Sequence, residues 1–138
     1  MGRILAIDYG NKRVGLATTD TLQLIANPLE TVHAKDVLTY LKSYFQREPV
    51  DALVVGMPRR LSGEATDATP HVVGFIRQLQ KEFPTMPVHT VDERFTSRMA
   101  HQTMLSGGLK KKDRQDKATV DRISATIILQ SYLESRSI

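Results

Sequence analysis

A chain of 138 residues with 41% hydrophobic residues and a formal net charge of +4 is long enough to bury one core, and predicts one domain over 1–138. The absence of cysteine excludes disulfides, thiolate catalysis and cysteine-ligated zinc, and fits a reducing compartment, so a cytoplasmic location is expected. The first apolar run stops at Asp8, too short for a signal peptide or membrane span, so no membrane is expected as partner, and the slight basic excess mildly favours a polyanionic one.

Arg3 to Ile7 and Val14 to Thr19 read as two strands joined by hairpin turn chemistry at Gly10 and Asn11, which puts Asp8 where the first strand ends. Ala26 to Val32 reads as a third strand that Pro28 restricts to an edge or a bulge. From Ala34 to Glu48, Val37, Leu38, Leu41, Tyr44 and Phe45 recur at helical spacing and predict an amphipathic helix that Pro49 stops. The continuous run Ala52 to Val55 is expected of a strand covered on both faces. After the loop GMPRRLSGE, Asp67 or Thr69 is placed to cap a helix with Pro70 in its first turn and Val72, Val73, Ile76 and Leu79 as its buried stripe. Val88 to Val91 predicts a short strand leading into Asp92 and Glu93. A helix from about Ser97 closes at Gly107 and Gly108, Lys110 to Lys117 reads as a surface loop, and Thr119 to Glu134 forms the last helix. Strands first, then helix and strand in alternation, predict an α/β domain with a mixed sheet.

Three acids stand at the ends of these elements. On a helical wheel Asp121 shares its face with Ala125, Ile128 and Tyr132, so it heads an apolar stripe rather than a solvated one. The plain alternative is a carboxylate favoured near a helix N-terminus by the macrodipole. Asp92 and Glu93 follow a parallel-type strand, at whose carboxyl end sites collect in open α/β sheets; the plain alternative is a solvated acid paired with Arg94. Adjacent strand residues face opposite ways, so only one of this pair points directly at a common site. If the strand of Asp8 is central, its tip is expected beside the tip of the Asp92 strand.

Converging carboxylates repel unless a cation neutralises them, and hard oxygen ligands suit Mg²⁺, or Mn²⁺ in its place. His33, His71, His89 and His101 fall on four different elements and offer no zinc spacing, and there is no phosphate-binding P-loop, nucleophile elbow or dinucleotide fingerprint. Carboxylates holding two such ions about 4 Å apart are the arrangement that cuts phosphodiesters. Candidate contacts to a nucleic-acid backbone are Lys12, Arg13, Arg59, Arg60, Arg94 and the run Lys110, Lys111, Lys112, the last with a solvated loop as the plain alternative.

The stretches AIDYGNKRVGLA, VVGMPRRLSGE, VDERFTS and KATVDRISATIIL resemble, in order and spacing, the motifs of the YqgF (RuvX) family, over essentially the whole chain. The resemblance implies an RNase H-like fold, a five-stranded mixed sheet flanked by helices, akin to the resolvase RuvC. It implies a divalent-metal nuclease that matures the 5′ end of pre-16S rRNA during ribosome assembly, with a precursor of the small ribosomal subunit as partner. Its catalytic and metal-binding acids would be Asp8, Glu93 and Asp121. Phe95, Ser97 and Ser124 depart from common family residues, and none of these departures removes an acid. RuvC carries its second acid on the preceding strand, which here ends in the neutral Gly56-Met57-Pro58, so Asp92 stays open beside Glu93 as the second ligand. Three other readings are a resolvase of four-way DNA junctions, a non-catalytic RNA-binding assembly factor, and an ATPase of the actin type. The last needs two such domains, and 138 residues make room for one.

Overall fold

The computed structural model describes residues 2–58, 64–93 and 117–136. Arg59, Arg60, Arg94, His101, Lys110, Lys111, Lys112 and the helix expected from about Ser97 lie outside the described residues. Strands β1 (Arg3–Tyr9), β2 (Arg13–Thr19), β3 (Ala26–His33), β4 (Val50–Met57) and β5 (Val88–Asp92) form one sheet in the order β3-β2-β1-β4-β5. Pairing is antiparallel in β1–β2 and β2–β3 and parallel in β1–β4 and β4–β5, a mixed sheet with β1 in its middle.

Helices α1 (Val37–Arg47) and α2 (Thr69–Glu82) cover one face of the sheet and α3 (Lys117–Arg136) the other. The alternation of strand side chains divides the core accordingly. Leu5, Ile7, Leu53 and Val55 face Val37, Leu41, Phe75 and Leu79, whereas Ile4, Ala6, Ala17 and Val54 face Ala125, Ile128 and Leu129. Because Ala6 and Ala17 are small and pair directly across β1 and β2, α3 settles close onto the middle of the sheet.

Pro28 has the consequence its chemistry demands: β3 is an edge strand, and its register slips where Leu16 pairs with Glu30 but Ala17 pairs with Pro28. β4 is buried from Ala52 to Gly56, as a strand covered on both faces should be. The tips of the Asp8 and Asp92 strands are not neighbours, because β4 lies between them. The apolar run of β4 requires cover on both faces and takes the inner place, while β5, with exposed His89 and Thr90, suits the edge.

Three local expectations are corrected. Residues Ala34–Asp36 form a 3-10 turn ahead of α1, with the His33 imidazole accepting the Lys35 N–H at 3.2 Å. Neither Asp67 nor Thr69 caps α2: the N-cap is Ala68, and the Thr69 hydroxyl donates to the Pro58 carbonyl at 2.9 Å while accepting the Thr66 N–H. Phe75, not Val73, completes the buried stripe with Val72 and Leu79, since its ring stacks on Tyr9 at 4.3 Å. Among the described residues no helix is long and apolar enough to cross a membrane.

Candidate active site

Asp8 sits on the face of β1 that Ile4 and Ala6 share, turned toward α3. It is paired in register with Gly15 of β2. One step beyond the Ile7–Val55 pair, it is level with Gly56 of β4. The acid thus stands in a row across the sheet between two residues that have no side chain.

Glu93 comes from beyond the end of β5. Its N–H donates to the Met57 carbonyl at 3.1 Å, which continues the β4–β5 ladder one residue past the Met57–Asp92 pair. Alternation then turns Glu93 toward the α3 side and Asp92 toward the opposite one, where it is exposed. The Glu93 carboxyl lies over Gly56 and hydrogen-bonds the Asp8 carboxyl. One of two touching carboxyls must carry the shared proton, and both are pushed up. Burial, then the charge and hydrogen bond of Asp8 and the charge of Asp92, raise Glu93 to about 8. Burial and the charge of Asp121 raise Asp8 to about 6, against the lowering effect of the Glu93 hydrogen bond.

Asp121 lies one turn into α3, with its main chain against Gly15. The start of this helix is tied to the sheet by the Thr31 hydroxyl, which donates to the Ala118 carbonyl at 2.8 Å. The Asp121 carboxylate accepts the Arg13 Nε–H at 2.8 Å and is 20% exposed. Arg13, expected to face a nucleic-acid backbone, is therefore engaged by an acid of the site, whereas Lys12 beside it is exposed.

The fold thus brings Asp8, Glu93 and Asp121 to one rim of the sheet. Asp8 and Glu93 touch, and Asp121 acts on Asp8 through its charge while being held by Arg13. Among the described residues no three acidic or histidine side chains close into a cage around a common point. Reading the sequence for acids and bases passed over Gly15 and Gly56. The available signal was positional: Gly15 lies across the hairpin from Asp8, and Gly56 ends the buried stretch of β4.

The sequence matches the RuvX family, described as Holliday junction resolvase, over residues 2–135. This chain belongs to the RuvX family. Relatives include a protein of Bacteroides thetaiotaomicron that is 56% identical over 136 residues, 99% of each chain, and carries the name "Putative pre-16S rRNA nuclease". A protein of Phocaeicola vulgatus with the same name is 57% identical over 99% of this chain and 98% of its own. Among solved structures, Thermus thermophilus RuvC in complex with a Holliday junction substrate superposes with a TM-score of 0.58 at 15% identity, covering 99% of this chain and 96% of that one. That likeness gives the RuvX chain an RNase H-like fold, in keeping with its five-stranded mixed sheet flanked by helices.

Proposed function

We propose that this RuvX chain is a divalent-metal-dependent endonuclease of structured nucleic acid, and that it processes the 5′ end of pre-16S rRNA in ribosome assembly in the cytoplasm. The observation that carries the chemistry is the Asp8–Glu93 carboxyl contact with Asp121 alongside. Two carboxyls held together by a proton form a site that a cation completes, because a doubly charged ion replaces the proton and lets both acids ionise. The donors are oxygen only, and no sulfur or imidazole stands among them, which suits Mg²⁺ or Mn²⁺. The name shared by relatives at 56% and 57% identity supports the RNA substrate.

Asp8, Glu93 and Asp121 would hold the metal. When bound, divalent ions supply an activated water and stabilise the leaving oxygen of a phosphodiester. The chain's own part is orientation and charge. Asp8 is fixed by its place in the sheet, Glu93 by the ladder bond to Met57, and Asp121 by the Thr31 and Arg13 contacts. Lys12 and, beyond its Nε contact with Asp121, the partly exposed guanidinium of Arg13 are assigned to the phosphate backbone, as are Arg59, Arg60, Arg94 and Lys110 to Lys112 from sequence alone. Such contacts carry no sequence information, so substrate choice would rest on shape.

A second reading keeps the chemistry and changes the substrate to a four-way DNA junction, as the family description and the complex of the RuvC relative suggest. A third keeps the fold as a non-catalytic RNA-binding assembly factor. All three are separated by offering a precursor rRNA fragment and a four-way junction to the wild type, Asp8→Asn and Asp121→Asn with Mg²⁺, Mn²⁺ or EDTA. The expected result is metal-dependent cutting of the RNA that falls by about a hundredfold or more in both variants, above the usual cost of losing a mere outer-shell partner. Cutting confined to the junction selects the resolvase. RNA binding without cutting in any metal selects the assembly factor.

A further inference from the structure

We propose that Gly15 and Gly56 are positioning residues of the acid site: the sheet leaves both places beside Asp8 empty of side chains, and the other two acids are seated through those gaps. The catalytic consequence rests on the metal-nuclease reading above, whereas the seating itself rests on geometry. Gly15, Asp8 and Gly56 form one row on the face that α3 covers. A Cβ built on Gly56 would collide with the Glu93 carboxyl and with Ile128 Cδ1. One built on Gly15 would collide with the main-chain carbonyl of Asp121 and come within 3.1 Å of its Cβ. Space, not backbone freedom, is what these positions need, since neither Gly15 nor Gly56 has a backbone in the left-handed region. Gly74 on α2 makes the contrast: a Cβ there meets nothing within 4 Å.

The two collisions differ in kind. At Gly15 the obstacle is backbone, so a methyl group must lift the start of α3 and move Asp121 with it. At Gly56 the obstacles are the far ends of two side chains, which yield. Gly56→Ala should therefore leave the fold standing and push the Glu93 carboxyl off Asp8, which makes it the decisive variant. Gly74→Ala is the control, a substitution of the same size in open space on a helix, where alanine is favoured.

The test measures, in the full chain, Mn²⁺ affinity by calorimetry, thermal melting, and kcat and KM on the nucleic acid that the wild type cuts. Gly74→Ala should match the wild type in Mn²⁺ affinity and kinetics and melt no lower than it, since helix propensity favours alanine. Gly56→Ala should melt close to the wild type, bind Mn²⁺ about 10- to 100-fold more weakly and lose kcat with KM unchanged. In a Glu93→Gln background the same substitution should add nothing, because its effect runs through Glu93. Wild-type affinity and kcat in Gly56→Ala would overturn the proposal, and so would an equal loss in the Glu93→Gln background, which would assign the effect to packing against Ile128. Should Gly56→Ala melt early, Gly56→Ala with Ile128→Val removes the colliding Cδ1 and leaves only the collision with Glu93. A wild type that neither binds Mn²⁺ nor cuts would sink the metal-nuclease reading. A crystal structure of Gly56→Ala would then decide the positioning, a Glu93 carboxyl displaced from Asp8 upholding it and one still in contact overturning it.

Discussion

Asp8 and Glu93 share what one carboxyl alone would not tolerate, a half-buried place beside another acid. The pair makes stability depend on pH in a direction opposite to that of an ordinary ion-paired acid. Unfolded, Glu93 ionises near 4.5; folded, near 8. Between those values the folded chain keeps a proton that the unfolded chain has released, so stability falls as pH rises through this window and levels off above it. Asp8, raised from 3.8 to about 6, adds to the fall in the lower part of the same window. Thermal melts of the cation-free protein from pH 5 to 9 should show this decline, Glu93→Gln should flatten most of it, and saturating Mg²⁺ should flatten it too while releasing protons on binding. At this scale the sequence exposed the acids through their neighbours: Asp8 closes an apolar run and Asp121 heads an apolar face. It left Asp92 and Glu93 undivided, because the parity that separates them is set by the β4–β5 ladder, through the bond from Glu93 N–H to the Met57 carbonyl.

At the scale of elements, α3 carries Asp121 and is placed by packing as much as by the Asp121–Arg13 contact. Leu129, Ile128 and Ala125 are buried against Ile4, Ala6, Ala17 and Val54, a surface whose alanines let the helix lie close. Leu129→Ala is expected to cost about 2–5 kcal/mol, read by denaturant unfolding. If this packing also sets Asp121, the same variant should bind Mn²⁺ more weakly under conditions where it remains folded. Periodicity and proline made β3, β4 and α1 legible in advance, since edge strands, doubly covered strands and amphipathic helices each have their own pattern. The start of α2 was not legible. Thr69 has the right chemistry for a cap, but its hydroxyl is engaged by the Pro58 carbonyl, a contact that a local reading of the sequence cannot anticipate.

Over the whole molecule, a net charge of +4 and the exposed Lys12 at the acid rim imply binding of nucleic acid that weakens with salt. With Asp8→Asn, so that substrate survives the measurement, log Kd against log salt should be linear, with a slope of about 0.7 to 0.9 per phosphate neutralised. Lys12→Ala should reduce that slope by roughly one such unit and weaken binding alike across sequences. A slope unchanged by Lys12→Ala would remove it from the interface.

By itself the sequence determined the α/β class, most of the strands and helices, the set of acids and the family, because hydrophobic period, proline and ordered motifs are local properties written along the chain. Tertiary structure alone decided that β4 lies between the Asp8 strand and the Asp92 strand, that Glu93 rather than Asp92 crosses it to Asp8, and that Gly15 and Gly56 clear the way. The physical reason is that strand order, facing parity and empty space belong to pairs of segments distant in sequence, and none exists until the sheet has formed.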